Sequence, residues 1–280
     1  MKYFAMTMLA VAVLAVAVPA SAGVLLSEDF ESYSAGTAIQ TLAAWSNSSA
    51  DGPIRVNGYN ETSAGGHRLL GSGLALDGNS GKEQGSGVGR VWSTSKRTIP
   101  GPSANALTYT VAFDTIVQRG SNSNGTGNSG LYIECGSACG EFGFHFQRSN
   151  NYGWGFINSG DGLANVGQYT GSSSNATPPE SGIWHAVNNP TTASITLDKT
   201  TMLASATVGG YDFTPQTFSQ AVWDGISGLR VRNDINNPAH EDHNFGMDVD
   251  NIVVSETIPE PATIGLVLLG LCGLAVMRRK

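Results

Sequence analysis

The chain has 280 residues, of which only 13% are charged, and its net charge at pH 7 is −7. About a quarter of the residues of an average globular protein are charged, whereas Gly, Ser, Asn and Thr are abundant here. This composition argues against binding nucleic acid or an anionic polysaccharide through a broad basic patch.

The first 22 residues have the features of a secretory signal peptide. Lys2 supplies a positive start, Met6–Val18 is an apolar stretch, and Ala20–Ala22 (ASA) is a small-x-small cleavage site. We expect cleavage before Gly23 and export of the remaining chain.

The body, residues 23–257, carries 21 acidic and 11 basic residues, a net charge of −10. In LTYTVAF, which opens Leu107–Val117, apolar residues alternate with Thr and Ala, as in a half-buried strand. Asp198–Thr201 (DKTT) has the position of a hairpin turn. Similar strand patterns occur at 130–134, 141–147, 152–157, 183–187, 193–197, 202–208, 228–232 and 247–254. So many short strands predict an all-β protein with two packed antiparallel sheets.

Several segments of the body resemble a known fold. The opening Leu25–Gly36 (LLSEDFESYSAG) and the terminal Asp248–Val254 (DVDNIVV) are similar to the first and last strands of concanavalin A-like, laminin-G-type jelly rolls. Trp184, the turn at Asp198 and Ala204–Gly210 (ASATVGG) support this resemblance. It implies one two-sheet antiparallel β-sandwich domain. A pair of immunoglobulin-like sandwiches is the alternative.

The jelly-roll fold raises the question of glycoside hydrolysis, because laminarinase-type glucanases share it. Those enzymes carry two glutamates and an aspartate at alternating positions on one strand. The nearest acidic groups here, Glu28–Glu31 (EDFE) and Asp248–Asp250 (DVD), do not have this arrangement. We therefore assign no catalytic residues and expect a protein that is not an enzyme.

The same acids are better suited to calcium, which prefers carboxylate, amide and carbonyl oxygens. Asp248 and Asp250 share one face of their predicted strand, and Asn251 adds an amide oxygen. Glu28 or Glu31 completes the cluster if the first and last strands pair. The sequence thus predicts structural calcium and no other cofactor. The alternative is a set of exposed acids that prevents edge-to-edge aggregation.

An aromatic stripe in YGWGFI is a candidate carbohydrate site. Tyr152, Trp154 and Phe156 share one face of this predicted strand, whereas Gly153 and Gly155 leave the other face bare. An exposed stripe would stack on the apolar faces of sugars, and a buried stripe would be part of the core. The sequence leaves both interpretations open.

Cys135 and Cys139 are four residues apart in CGSACG, between two predicted strands. In an oxidising compartment such a pair forms a disulfide that fixes a hairpin turn. A two-cysteine metal site is the alternative, but it lacks a second pair of ligands. We therefore predict a disulfide between Cys135 and Cys139.

The C-terminal segment, residues 258–280, has three parts. They are the triplet Pro259, Glu260 and Pro261, an uncharged apolar run at 262–277, and the basic tail Arg278, Arg279 and Lys280. The run is slightly shorter than the roughly 17–25 residues of a typical membrane-spanning helix, so tilt or bilayer thinning must help. This order resembles the PEP-CTERM sorting signal of Gram-negative bacteria that secrete exopolysaccharide. A permanent single-pass anchor is the alternative, and either arrangement places the body outside the cytoplasm.

The resemblances imply an exported, non-catalytic protein of the cell envelope, outer surface or extracellular matrix of a Gram-negative bacterium. Its expected partners are an exosortase-type membrane protease or transpeptidase, the inner membrane before processing, and extracellular polysaccharide. No nucleic acid is expected. The carbohydrate role depends on analogy of fold. A glycan-active hydrolase with an unrecognised site and a purely structural surface protein are the alternatives.

Overall fold

A computed structural model describes twelve stretches of the chain. They are residues 20–34, 36–42, 44–47, 55–58, 74–77, 90–117, 127–138, 142–147, 153–158, 168–169, 191–236 and 247–259. Most of the predicted signal peptide and all of the predicted membrane helix lie outside these residues. Within them, no helix has the length and apolar character needed to cross a membrane.

Strands dominate the described residues. In chain order they are β1 (Ala20–Glu28), β2 (Thr37–Ala38), β3 (Trp45–Asn47), β4 (Arg55–Gly58), β5 (Leu74–Asp77), β6 (Arg90–Thr98), β7 (Thr108–Val117), β8 (Gly127–Glu134), β9 (Phe142–Gln147), β10 (Gly153–Asn158), β11 (Gln168–Tyr169), β12 (Thr191–Asp198), β13 (Leu203–Val208), β14 (Tyr211–Asp212), β15 (Gln216–Thr217), β16 (Gly228–Asn236) and β17 (Met247–Pro259). A short helix, α1, spans Gln220–Gly225, and 3₁₀ turns span Ile39–Thr41 and Gly136–Ala138.

The strands form two antiparallel sheets. One has ten described strands in the order β14-β13-β12-β7-β17-β5-β4-β2, with β1 beside β17 and β15 beside β13. The other has seven described strands in the order β11-β10-β9-β8-β16-β6-β3. The predicted two-sheet antiparallel β-sandwich is therefore confirmed.

A hydrophobic core lies between the two sheets. Side chains of β7 alternate as the sequence predicted, so that Val111 is fully buried while Thr110 is only half-buried. Phe113 of the ten-stranded sheet meets Phe144 of the seven-stranded sheet edge to face, with ring centroids 5.8 Å apart. Residues of both sheets belong to one core cluster. The architecture is thus one sandwich and not a pair of immunoglobulin-like domains.

The first described strand pairs with the last, as the jelly-roll resemblance implied. Glu28 stands opposite Ile252, and Ala20 stands opposite Pro259 at the other end of the ladder. Residues 20–22, just before the predicted signal-peptide cleavage site, therefore pair with residues 257–259, of which Pro259 is the first residue of the C-terminal triplet.

The predicted hairpin turn at Asp198–Thr201 is confirmed between β12 and β13. Asp198 Oδ1 accepts hydrogen bonds from the Thr200 hydroxyl at 2.6 Å and from the backbone N–H groups of Thr200 and Thr201 at 2.7 and 3.2 Å. These bonds, above all that from the Thr200 hydroxyl, hold the pKa of Asp198 below its ordinary value. They stabilise the charged carboxylate and fix the turn.

Every predicted strand that falls within the described residues is confirmed, whereas the strand predicted at 183–187 lies outside them. β6 and α1 have no clear pattern in the sequence and were not predicted. Ser219 caps α1 by accepting a hydrogen bond from the backbone N–H of Val222 at 3.3 Å. The helix buries Val222 and Trp223, so tertiary packing stabilises a segment too short to be helical alone.

Candidate functional site

The carboxylate of Glu28, which was predicted as a calcium ligand, is bound by donor groups of the protein itself. Its carboxylate pairs with the guanidinium of Arg97 and accepts hydrogen bonds from the Tyr33 hydroxyl at 3.1 Å and the Phe30 backbone N–H at 3.2 Å. Only 7% of Glu28 and 11% of the Arg97 side chain are exposed. The guanidinium carbon also lies 5.5 Å from the ring centroid of Trp45. Glu28 is thus part of a buried ion pair beside the core.

Two other predicted calcium ligands lie at a bulge in β17. The register of β17 against β7 shifts between Asp250 and Val253, and Asn251 has a positive φ of 48°, which asparagine tolerates better than most residues. The side-chain amide of Asn251 donates to Asp114 Oδ2 at 2.9 Å, and the Thr192 hydroxyl donates to Asp114 Oδ1 at 2.7 Å. Asp114 therefore belongs to this site, although the sequence analysis did not include it.

Burial is the main cause that raises the pKa of Asp250 to about 6. The hydrogen bond from the Asn251 backbone opposes the shift, whereas the negative charges of Glu31, Asp114 and Asp29 increase it. Lost hydration and nearby like charges both disfavour a carboxylate. The structure therefore brings Glu31 and Asp250 into one group of acids, together with Asp29 and Asp114.

Asp248 is fully buried, and its backbone carbonyl accepts a hydrogen bond from the Thr115 hydroxyl at 2.8 Å. In the part of the chain that the structure describes, no group of three or more His, Cys, Asp or Glu side chains is arranged to hold a metal ion. Structural calcium at these residues stays a prediction.

The aromatic stripe contributes to the core where the structure describes it. Phe156 is fully buried, with its ring centroid 5.8 Å from that of Phe142 and 6.3 Å from that of Phe213. A ligand on the protein surface therefore cannot reach Phe156. Tyr152 and the side chain of Trp154 lie outside the described residues, so a carbohydrate role for them stays a prediction.

Cys135 forms a disulfide and is buried. It follows the last residue of β8, and its backbone carbonyl accepts a hydrogen bond from the N–H of Ala138 at 3.2 Å, so the chain turns here. Its predicted partner, Cys139, lies outside the described residues.

The outer surface of the seven-stranded sheet carries a charged cluster that the sequence analysis missed. Leu229 and Val231 on β16 are fully buried in the core, so strand alternation directs Arg230 and Arg232 to the opposite surface. The spacing of these two arginines was the available signal, because residues two apart on a strand share a face. We call this surface the charged face, and its described members are Lys96, Tyr132, Glu134, Arg230 and Arg232.

Ionic and aromatic contacts hold the charged face together. Glu134 lies between two cations, with Lys96 Nζ 3.0 Å from its Oε2 and Arg230 Nε 2.9 Å from its Oε1. The Arg230 contact is an ion pair without hydrogen-bond geometry. The guanidinium carbon of Arg230 lies 4.9 Å from the ring centroid of Tyr132, a cation–π distance. Tyr132 is fully buried and therefore supports the guanidinium from below.

Two glycines stand beside Tyr132 in the seven-stranded sheet. Gly130 stands opposite Arg232, and a Cβ there would lie 2.5 Å from the hydroxyl of Tyr132. Gly143 stands opposite Tyr132, and a Cβ there would lie 2.3 Å from the carbonyl oxygen of Leu131. Only glycine fits at these positions, because the Tyr132 ring and neighbouring backbone atoms occupy the space that a Cβ would need.

Comparison with known proteins identifies the C-terminal segment. Residues 257–280 match the PEP-CTERM protein-sorting motif. A search of curated proteins finds no significant match to the chain. This motif supports the sequence prediction made for residues 258–280.

Three solved structures illustrate the similarity of this chain to known folds, each with a TM-score below 0.5. A carbohydrate esterase from the Shiga toxin-encoding bacteriophage phi24B has a TM-score of 0.46 and 13% identity, covering 84% of this chain and 99% of its own. The CBM2 module of the evolved Dit protein of Lactobacillus casei BL23 phage J-1 has a TM-score of 0.49 and 12% identity, covering 87% and 100%. The carbohydrate recognition domain of Emp47p has a TM-score of 0.38 and 10% identity, covering 82% and 94%.

The matched motif begins where the β-sandwich ends. Strand β17 extends to Pro259, the first residue of the triplet, whereas Glu260, Pro261 and the basic tail at 278–280 lie outside the described residues. The chain therefore carries a PEP-CTERM protein-sorting motif, which indicates an exported protein that an exosortase-type system directs to the cell envelope or beyond it.

Proposed function

We propose that this exported chain is a non-catalytic envelope or matrix protein that binds polysaccharide through the charged face. One observation carries the proposal. Arg230, Glu134 and Tyr132 form a preorganised polar group on the outside of a sheet whose inner side is the core. Rigid sheet elements hold binding groups more accurately than loops do.

The charged face offers the groups that sugar hydroxyls need. Each hydroxyl both donates and accepts hydrogen bonds, so it is best met by a surface that contains donors and acceptors. Arg230 and Lys96 supply donors, and the carboxylate of Glu134 supplies acceptors. Because Tyr132 and Glu134 already orient Arg230, binding loses less side-chain entropy.

The same geometry argues against hydrolysis at this face. Most glycosidases need two carboxyl groups about 5–10 Å apart, one on each side of the scissile bond. Both carboxylate oxygens of Glu134 contact cations, so this carboxylate is not free to act as a catalytic acid or nucleophile. A hydrolase site elsewhere in the chain would show itself by the release of new reducing ends from a bound polymer.

The experiment is a binding screen of the full-length chain, in mild detergent, against immobilised polysaccharides of different charge and linkage. We expect binding to at least one polymer, and a loss of that binding in Arg230→Gln. Lys199→Gln is the matched control, because it also removes one positive charge but lies in the β12–β13 turn of the other sheet. Absence of binding to every polymer, or unchanged binding by Arg230→Gln, would favour a purely structural role.

A further inference from the structure

We infer that the two ends of the chain are processed in a fixed order, in which removal of the signal peptide exposes the start of the sorting motif. The motif matches residues 257–280, so its first three residues belong to β17. In the folded chain these three residues pair with Ala20–Ala22, the predicted cleavage site of the signal peptide. The inference does not depend on polysaccharide binding, because it concerns only the two processing sites.

The ladder between β1 and β17 holds the start of the motif in the sheet. Each residue at 257–259 stands opposite one residue at 20–22. Strand β7 pairs with Thr257 from the other side, but no second strand is paired with Ile258 or Pro259 in the described structure. A protease can bind the backbone of a strand only after that strand has opened locally. Loss of residues 20–22 therefore removes most of the pairing that opposes this opening.

The first cut cannot use the folded sandwich as its substrate. Water adds to the carbonyl carbon of Ala22, and the bond to the nitrogen of Gly23 breaks, which leaves a carboxylate on one residue and an amine on the other. In the sandwich these two residues lie inside β1, opposite Thr257 and Glu256. Because the ladder closes this bond to a peptidase, the cut must come before β1 pairs with β17.

The order of the strands along the chain provides time for that cut. β1 is the first described strand and β17 is the last, so their ladder cannot form until almost the whole body has emerged. Synthesis of the roughly 235 residues of the body takes on the order of ten seconds or more. The first site is open throughout this time. Residues 257–259 emerge last, and they meet residues 20–22 only if the signal peptide is still attached.

The test follows the full-length chain by pulse–chase labelling in a host with an exosortase. Intact mass distinguishes the chains that have lost the signal peptide, the C-terminal segment or both, and we expect the signal peptide to be lost first. Ala20→Ile with Ala22→Ile removes both small residues of the cleavage site and keeps strand-forming side chains, so the signal peptide should stay attached. Loss of the C-terminal segment should then slow about tenfold, because three cross-strand pairs add a modest stabilisation.

Two further variants separate the pairing from the presence of the signal peptide. Ala20→Ser with Ala22→Ser keeps both residues small, so both cuts should occur at the natural rate. Ala20→Pro, Ser21→Pro and Ala22→Ile together also keep the signal peptide attached, but one of two adjacent prolines must remove a donor to β17, since alternate residues donate. This triple variant should regain rapid C-terminal processing. Resistance of the body to proteinase K in spheroplasts checks that each variant is exported and folded.

The other outcomes would overturn the inference. One is C-terminal processing at the natural rate in the isoleucine variant, and another is a natural chain that loses its C-terminal segment first. Slow processing in the proline variant would mean that the attached signal peptide, and not the pairing, hinders the second cut. A natural chain that keeps its C-terminal segment permanently would have no second cut to order. None of these results bears on polysaccharide binding, which Arg230→Gln tests separately.

Discussion

At the scale of single residues, the buried ion pair between Glu28 and Arg97 should contribute strongly to stability. Removing one partner of a buried pair leaves the other charge uncompensated, which costs about 3–5 kcal/mol. Both side chains are nearly inaccessible to solvent here. We therefore expect Glu28→Gln to lower the free energy of unfolding by about 3 kcal/mol in urea denaturation.

Asp212→Asn is the matched control for this variant, because it also replaces a carboxylate by its amide but Asp212 is exposed, on β14 at the edge of the ten-stranded sheet. We expect it to change the free energy of unfolding by less than about 0.5 kcal/mol. The double variant with Arg97→Met removes both charges and should recover part of the loss. A loss below about 1 kcal/mol in Glu28→Gln would mean that the pair behaves like an exposed one.

Asp250 should make the folded protein more stable at low pH than at neutral pH, whereas most carboxylates of folded proteins have the opposite effect. Its folded-state pKa of about 6 lies above the ordinary value of 3.8, so the folded protein binds this proton more tightly than the unfolded chain does. The stabilisation is fully present below about pH 4 and is lost as the pH rises through about 6. We expect Asp250→Asn to raise the free energy of unfolding by about 1–3 kcal/mol near pH 7.5 and to change it little near pH 4.

The same variant tests the predicted calcium role. If calcium raises the melting temperature of the natural protein and not that of Asp250→Asn, the carboxylate is a metal ligand. The expected gain in stability near neutral pH should then appear only in chelator. A loss of stability in chelator would show that burial of the charge is not the dominant cost at Asp250.

At the scale of elements, the β1–β17 ladder connects the two ends of the body. Cleavage before Gly23 would remove Ala20–Ala22, the β1 partners of Thr257–Pro259. Thr257 would keep Thr108 of β7 as a neighbour, whereas no second strand is paired with the last two residues in the described structure. We therefore expect the amide hydrogens of Thr257 and Ile258 to exchange about tenfold faster in a chain that begins at Gly23 than in one that begins at Ala20.

Hydrogen exchange followed by mass spectrometry measures this difference. Val254 provides the internal control, because Leu26 and Val111 pair with it from both sides and neither is removed. Equal exchange rates at Thr257 and Ile258 in the two chains would contradict the assigned register. Faster exchange also at Val254 would show that the whole ladder depends on the first three residues.

The strands that could be predicted from the sequence are those in which apolar and polar residues alternate in step with buried and exposed side chains. β7 could be predicted because Val111 and Phe113 alternate with small polar residues. β6 could not, because Ser95 and Arg97 point into the sandwich and leave no apolar pattern. Phe156 shows a second limit of prediction from sequence. Alternation of residue types along a strand shows which side chains share a face, but it does not show which of the two faces is buried.

The charged face could not be predicted for a different reason. β8 and β16 were predicted one by one and β6 was not predicted at all. Lys96 and Glu134 are 38 positions apart, and they meet because β16 lies between β6 and β8. Sequence alone does not give the register that aligns three strands. The same holds for Asp114, which reaches Asn251 across 137 positions.

At the scale of the whole molecule, the sorting motif and the proposed binding surface adjoin opposite sheets. The strand that leads into the sorting motif lies in the ten-stranded sheet, whereas the charged face is the outer surface of the seven-stranded sheet. The hydrophobic core lies between them. Removal of the C-terminal segment therefore takes away no member of the charged face, so processing should leave polysaccharide binding unchanged.

This separation predicts that the two activities can be lost independently. Replacing Pro259, Glu260 and Pro261 by alanine should keep the chain in the membrane fraction of a host with an exosortase, with residues 262–280 still attached. Its affinity for the polysaccharide should match that of the natural protein. Arg230→Gln should give the reverse, with normal sorting and weakened binding. Cell fractionation, intact mass and binding assays measure both properties, and a sorting variant that also loses binding would show that the sheets do not act separately.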